Sequence, residues 1–281
     1  MKIKISADST CDLTAEQIAE YNVGIIPLYI NKGEESLKDG IEITPADIFK
    51  YVDSGAGVCS TSAVNVADYL KFFEGYLKEY DAVIHINLSS KMSSCYQNAC
   101  IAASELENVY VVDSQNLSTA SGHLVIDAAL MAKSGMAPAD IADELNSLAG
   151  KLEASFVLDT LMYLYKGGRC SGIAALGANL MKLRPCIEVR DGTMGVGKKY
   201  RGNIDKVLVK YVEDRLKDRD DIDYRRIFIT NSGGIDESVF EAIRDTVKKY
   251  GKFEVIMESV AGCTISNHCG PKCFGILFYR K

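Results

Sequence analysis

The sequence predicts an α/β protein built from two units, and three observations carry that expectation. Apolar runs of strand length alternate with helical patterns through the first half. The second half brings two strand-like runs together across a tight turn, the mark of an antiparallel pair. At 281 residues, 47% of them hydrophobic, the chain also exceeds an ordinary domain of roughly 100–200 residues. A boundary near residue 150 is expected. It separates a layered N-terminal α/β unit (1–150) with a mainly parallel sheet from a C-terminal α+β unit (151–281) with a mixed or antiparallel sheet. Charge changes sign at the same place: 21 acidic side chains face 9 basic ones up to residue 150, and 17 face 23 beyond it.

In the first unit, strands are expected at Ile3 to Ala7, Gly24 to Tyr29, Ala82 to Ile86 and Val109 to Val112. One helix begins at Thr14, which has capping-box spacing to Gln17, and another at Thr44, with Pro45 at the first helical position. Further helices are expected over Asn65 to Tyr80, Ser93 to Leu106 and Ala120 to Lys133, and from Pro138 onward. In the second unit, Tyr163 to Arg169 reads as a helix end stopped by glycine. Pro185 to Arg190 and Met194 to Lys199 form a hairpin across Asp191-Gly192. Helices at Ile204 to Leu216 and Glu237 to Tyr250 then alternate with strands at Ile227 to Thr230, Glu254 to Glu258 and Gly275 to Tyr279. The chain has no repeat and no low-complexity linker, so the units are expected to pack closely.

Composition narrows the function. A net charge of −6 opposes a nucleic-acid partner, because such affinity comes from Lys and Arg neutralising phosphates. Nine cysteines, an odd number without framework spacing, fit buried thiols in a reducing compartment better than disulfides. Met1 to Asp8 reads as a strand, with neither a signal-peptide core nor an apolar span of about 20 residues. A cytoplasmic monomer with no stable membrane insertion is expected.

Polar residues gather after predicted strands, in Asp8 to Asp12, Asn87 to Ser94 and Asp113 to Asn116. An open α/β sheet forms its ligand crevice at such strand ends, although the same residue types also cap helices. Ser89, Ser90, Ser93 and Ser94 suit a carboxylate or phosphate, since hydroxyls and the free N–H groups of a helix start both donate to anions. The sequence lacks the G-x-x-x-x-G-K-[ST] run of a P-loop. His268 falls in a Gly- and Pro-punctuated loop, Ala261 to Pro271, whereas His85 and His123 lie in apolar runs and read as core. Cys263, His268, Cys269 and Cys273 have no C-x₂-C pair among them, so neither a metal nor a cofactor is expected. Lys182, Arg184, Lys198, Lys199 and Arg201 face few acids in sequence and suggest a basic surface for an acidic or phosphorylated partner.

Several segments, in order over nearly the whole chain, resemble the DegV family, known as bacterial fatty-acid-binding proteins. They are Asp8-Ser9-Thr10-Cys11-Asp12-Leu13, Thr61-Ser62, Ser89-Ser90 through Tyr96-Gln97, Asp113-Ser114, Lys166-Gly167-Gly168-Arg169, Arg184-Pro185, Asp191-Gly192, and His268 with Gly270-Pro271. Within them Lys91, Ser94 and Cys95 stand where the family commonly has Gly, Gly and Thr, and Lys272 stands in place of Gly. The resemblance implies two α/β domains with a long-chain fatty acid in an apolar tunnel between them. The carboxylate would be held by Thr61, Ser93 and His268, with Ser62 beside them. The family supplies acyl chains to a separate fatty acid kinase, which makes acyl phosphate for phospholipid synthesis. That implies a carrier rather than an enzyme, with Arg169 and Arg201 placed for kinase docking.

Apolar stretches expected to line the tunnel are Ile173 to Met181, Leu161 to Leu164 and Leu124 to Met131. The competing reading is an acyl hydrolase or acyltransferase in which His268 activates Ser93. The G-x-S-x-G elbow that commonly carries such a serine is absent.

Overall fold

The computed structural model describes residues 1–171 and 183–281. The apolar stretch Ile173 to Met181, expected to line the tunnel, and Lys182 lie outside the described residues.

The first part runs β1 (Ile3–Asp8), a 3-10 turn (Ser9–Cys11), α1 (Ala15–Glu20), β2 (Gly24–Ile26), β3 (Tyr29–Lys32), β4 (Glu35–Lys38), α2 (Pro45–Asp53) and β5 (Ser60–Ser62). It continues through α3 (Val66–Leu77), β6 (Ala82–Asn87), α4 (Cys95–Ser104), β7 (Val109–Asp113), α5 (Ser118–Lys133) and α6 (Pro138–Ala149). Helix starts follow local chemistry. The Thr14 and Gln17 side chains close a reciprocal capping box on α1, and Thr44 with Asp47 does the same on α2, where Pro45 occupies the first turn.

The single strand expected from Gly24 to Tyr29 is two strands. Pro27, which lacks an N–H for a sheet ladder, separates β2 from β3. β2, β1, β6 and β7 form a parallel sheet in that order. β4, β3 and β5 form a separate antiparallel one in which Ile30 faces Thr61 and Tyr29 faces Ser62. This small sheet has no counterpart in the sequence expectation.

The second part comprises β8 (Leu152–Val157), α7 (Met162–Gly167), β9 (Cys170–Ser171), β10 (Leu183–Arg190), β11 (Thr193–Arg201), α8 (Ile204–Leu216) and β12 (Ile222–Asn231). α9 (Glu237–Tyr250), β13 (Val255–Val260), α10 (Cys263–Cys269) and β14 (Phe274–Arg280) follow. Asp191 and Gly192 both take positive φ, 48° and 77°, and turn β10 into β11 as the sequence predicts. The mixed sheet runs β13-β12-β14-β8-β10-β11-β9. The α/β class, with a parallel sheet in the first half and a mixed one in the second, agrees with expectation.

Helix α5 lies between the two large sheets and is buried from Ser118 to Ala128. One apolar cluster joins Ile5, Ile84 and Leu124 to Phe156, Ile187 and Leu277, so the two halves share a core. Polar contacts fix the same junction: Arg226 Nη2 donates to Asp127 Oδ1 at 2.7 Å and Tyr279 Oη to Asp127 Oδ2 at 2.8 Å. His85 and His123 are fully buried, as expected, and seven of the nine cysteines are buried.

Two expectations need correction. Arg184 pairs with Asp159 at 2.9 Å and Lys198 with Asp214 at 2.6 Å, so the basic stretch is partly neutralised by acids distant in sequence. The segment carrying His268 is a short helix, α10, rather than a loop. Its Thr, Ser, Asn, His and Cys are modest helix formers, and seven residues are too few to stand alone. Its first N–H groups are capped from the other end of the chain. Gly262 N donates to Asp12 Oδ1 at 2.8 Å, Cys263 N to Asp39 Oδ1 at 2.8 Å and Thr264 N to Asp39 Oδ2 at 3.1 Å. Carboxyl oxygens at a helix N-terminus also meet the positive end of its dipole. Burial pushes the Asp12 carboxyl up to about 8. Asp39 accepts a further bond from Ser9 Oγ at 2.9 Å.

Asp39→Ala would leave these buried donors without their acceptor. A loss of about 3 kcal/mol in urea unfolding is expected, since hydrogen bonds to a charged group contribute about 1.5–3 kcal/mol each; a loss under about 0.5 kcal/mol would contradict the capping role.

Candidate functional site

Four sequence-selected residues converge on one cavity: Thr61, Ser62, Ser93 and His268 all line it, together with Arg169. Each is placed by a different element. β5 presents Thr61 and Ser62, the turn before α4 presents Ser93, and the last turn of α10 presents His268. Thr61 Oγ1 and His268 Nε2 lie 2.8 Å apart across 207 residues of sequence. Ser93 Oγ accepts from Cys95 N at 3.3 Å and donates to Cys95 Sγ at 3.3 Å. Sulfur is a weak acceptor, so an oxygen entering the cavity can take that proton. Ser62 Oγ accepts from Asn31 Nδ2 at 2.7 Å, which leaves its own proton to donate.

The remaining wall is mainly apolar, with Leu28, Leu88, Met92 and Leu117 from the first half of the chain and Phe156, Leu164, Met194, Ile265 and Leu277 from the second. Among the described residues of the stretches expected to line it, Leu164 alone does so. Leu124, on α5, instead belongs to the buried core. A mainly apolar cavity that also presents these hydroxyls and the imidazole suits an amphiphile with an anionic head.

His268 is neutral near pH 7. Burial, helped by the Arg169 guanidinium, lowers its pKa to about 4. Its Nδ1 is buried with no hydrogen-bond partner, which leaves Nε2 to carry the ring's one polar contact. The Lys166-Gly167-Gly168-Arg169 run explains this placement. A Cβ on Gly167 would lie 2.2 Å from His268 Nδ1, so only glycine lets α7 pack against the ring. Gly168 takes the left-handed turn that ends α7. Arg169 Nη1 then donates to Gly167 O at 2.7 Å and stays solvent-exposed.

Other expected residues have structural work. Asp8 is buried and accepts from Tyr69 Oη at 2.6 Å, Asn87 Nδ2 at 3.0 Å and Leu88 N at 3.0 Å, which ties the ends of β1 and β6 together. Ser89 Oγ donates to Gly192 O at 2.7 Å. Asp113 Oδ1 accepts from Ser90 N at 3.1 Å and Gln115 N at 2.8 Å. The three strand-end turns do meet, but only Ser93 and Ser94 of the serine run reach the cavity. Arg201 is exposed on β11 and is not among the lining residues.

Sequence reasoning missed Asp39, which reads as part of an Asp-Gly turn, and Thr264, which lines the cavity one helical turn before His268. Spacing of i, i+4 would have found Thr264 had α10 been read as helix. Among the described residues no cluster of three or more His, Cys, Asp or Glu is placed to hold a metal ion. None of their helices is long and apolar enough to cross a membrane.

A family model described as "Uncharacterised protein, DegV family" matches residues 2–281. A DegV domain-containing protein of Clostridium acetobutylicum is 33% identical over 283 residues, covering 100% of this chain and 99% of its own. Among solved structures, a DegV family protein from Thermus thermophilus described by its fatty acid binding superposes with a TM-score of 0.89 at 30% identity, with all of both chains covered. DegV of Bacillus subtilis, described as a fatty acid binding protein, superposes with a TM-score of 0.81 at 27% identity, again over all of both chains.

The depressed histidine gives a direct check. In ligand-free protein the His268 ring should titrate near pH 4 by NMR, and Arg169→Ala should raise that value. Because the unfolded ring takes its proton near 6.5, this residue's contribution to stability is complete above that pH. It fades as pH falls toward 4. Titration near 6.5 in the folded protein would contradict the buried, neutral ring.

Proposed function

The chain belongs to the DegV family, and we propose that it carries a long-chain fatty acid in an apolar tunnel between units 1–150 and 151–281. The Thr61–His268 contact at 2.8 Å, on a cavity also lined by Ser93, carries this reading. A neutral imidazole that donates from Nε2 to Thr61 Oγ1 leaves the hydroxyl's one proton free for a carboxylate. The reverse arrangement would turn that proton away from the ligand. Thr61 and Ser93 then bind one oxygen each, Ser62 stands by as a third donor, and His268 acts through Thr61. A carboxylate taken from water needs such donors. The acyl chain gains about 0.8 kcal/mol per buried CH₂ from the apolar wall.

On this reading the protein is a cytoplasmic, monomeric carrier, without nucleic-acid or metal partners, that presents its cargo to a fatty acid kinase. The kinase would transfer phosphate from ATP and yield acyl phosphate for phospholipid synthesis. Exposed Arg169, which lines the cavity, suits the charge of an acyl phosphate. Exposed Arg201, away from the cavity, suits kinase docking. The hydrolase reading fits less well, because His268 Nε2 pairs with Thr61 and the Ser93 hydroxyl turns to the Cys95 sulfur.

Denaturing mass spectrometry of the purified protein should release a fatty acid near one equivalent, and stripped protein should take up added oleate. Neither would occur if the reading is wrong. Thr61→Val and Ser93→Ala should each weaken oleate binding by roughly tenfold or more, as expected for a lost hydrogen bond to a charged group. Hydrolysis of a p-nitrophenyl ester that disappears in Ser93→Ala would favour the enzyme instead.

A further inference from the structure

The cavity wall contains buried hydroxyls that a plain hydrocarbon chain would leave unanswered. Thr264 is 4% exposed, lines the cavity, and its Oγ1 has no hydrogen-bond partner. Thr230, 6% exposed, lines the same region from β12. Its Oγ1 meets Thr119 Oγ1 at 2.6 Å. In such a pair one hydroxyl donates to the other, and the acceptor's own proton remains available. Neighbouring Ser118 is already engaged with Asp12. A buried hydroxyl without a partner is costly, and its cost falls when a ligand supplies the missing group.

Burial distinguishes these groups from the head-group site. Thr61, Ser93 and His268 are half-buried and Arg169 is exposed, whereas Thr264 and Thr230 are buried. Thr264 and His268 stand four residues apart on one face of α10, about 6 Å along the helix axis. A chain that runs from a carboxylate at Thr61, beside His268, along α10 toward its N-terminal end passes Thr264 with its first several carbons.

We propose that the cavity is selective for acyl chains bearing a hydroxyl within their first several carbons, which Thr264 and Thr230 hydrogen-bond. This rests on the fatty-acid reading. Competition binding against a positional series of monohydroxy hexadecanoates and plain hexadecanoate tests it. At least one hydroxylated isomer should bind the wild type several-fold more tightly than the plain acid, in keeping with one neutral hydrogen bond. In Thr264→Val that preference should vanish while the plain acid binds equally well or better; Thr264→Ser should retain it. If every hydroxylated isomer binds the wild type no better than the plain acid, the selectivity is refuted. That comparison decides the matter even if Thr264→Val fails to fold. A preference that persists in folded Thr264→Val would overturn the assignment of Thr264. If the wild type binds neither plain nor hydroxylated acids, the fatty-acid reading itself fails.

Discussion

The Asp39 carboxylate is the constraint on which the site depends. It lies just after β4, is 4% exposed, and accepts from the Ser9 hydroxyl and from the first N–H groups of α10. One buried carboxyl group therefore joins the end of β1, the small antiparallel sheet and a helix more than 220 residues downstream. That helix is seven residues long and rich in side chains that favour caps over helix interiors. Its existence depends on tertiary capping, and its last turn carries His268. Thr61 sits on the small sheet that the same region of chain completes. Fixing α10 against that sheet sets the distance between imidazole and hydroxyl.

Such a site is only partly legible in sequence, for a physical reason. Signals confined to a few residues are easy to read: the Thr14–Gln17 box, Pro45 at a helix start, Asp191-Gly192 between two strands, and the glycine stop of α7. Signals that depend on distant partners are not. β3, β4 and β5 are short and polar, and pair only because the fold brings them together. The chain around His268 reads as a loop because Asp12 and Asp39, which make it a helix, lie far away. Thr61 and Ser62 enter through resemblance alone, whereas Ser93 and His268 also stand out by residue type and position, and the structure brings all four to one cavity. Their electrostatic state was not legible at all. A loop histidine suggests a group able to hold a proton, whereas burial and Arg169 keep this ring neutral.

The serine turn also shows how a changed residue is accommodated. Lys91, where the family commonly has glycine, extends its Nζ to Asp191 O at 2.7 Å, beside the Ser89–Gly192 bond. Both bonds tie the turn that presents Ser93 to the β10–β11 hairpin. Met92 and Met194, flanking this junction, belong to the cavity wall. Head group and wall are thus held by the same contacts, and polar and apolar parts of the cavity are positioned together.

The most direct measurement of the proposed Thr61 hydrogen bond is a ¹³C NMR titration of carboxyl-labelled oleate bound to the wild type and to Thr61→Val. Donors to the charged form hold a carboxylate ionised to lower pH. The bound carboxyl should therefore titrate below the ordinary carboxylate range in the wild type and move upward in Thr61→Val. An identical titration in both proteins would show that the carboxylate does not lie on Thr61, and would contradict the proposed head-group site.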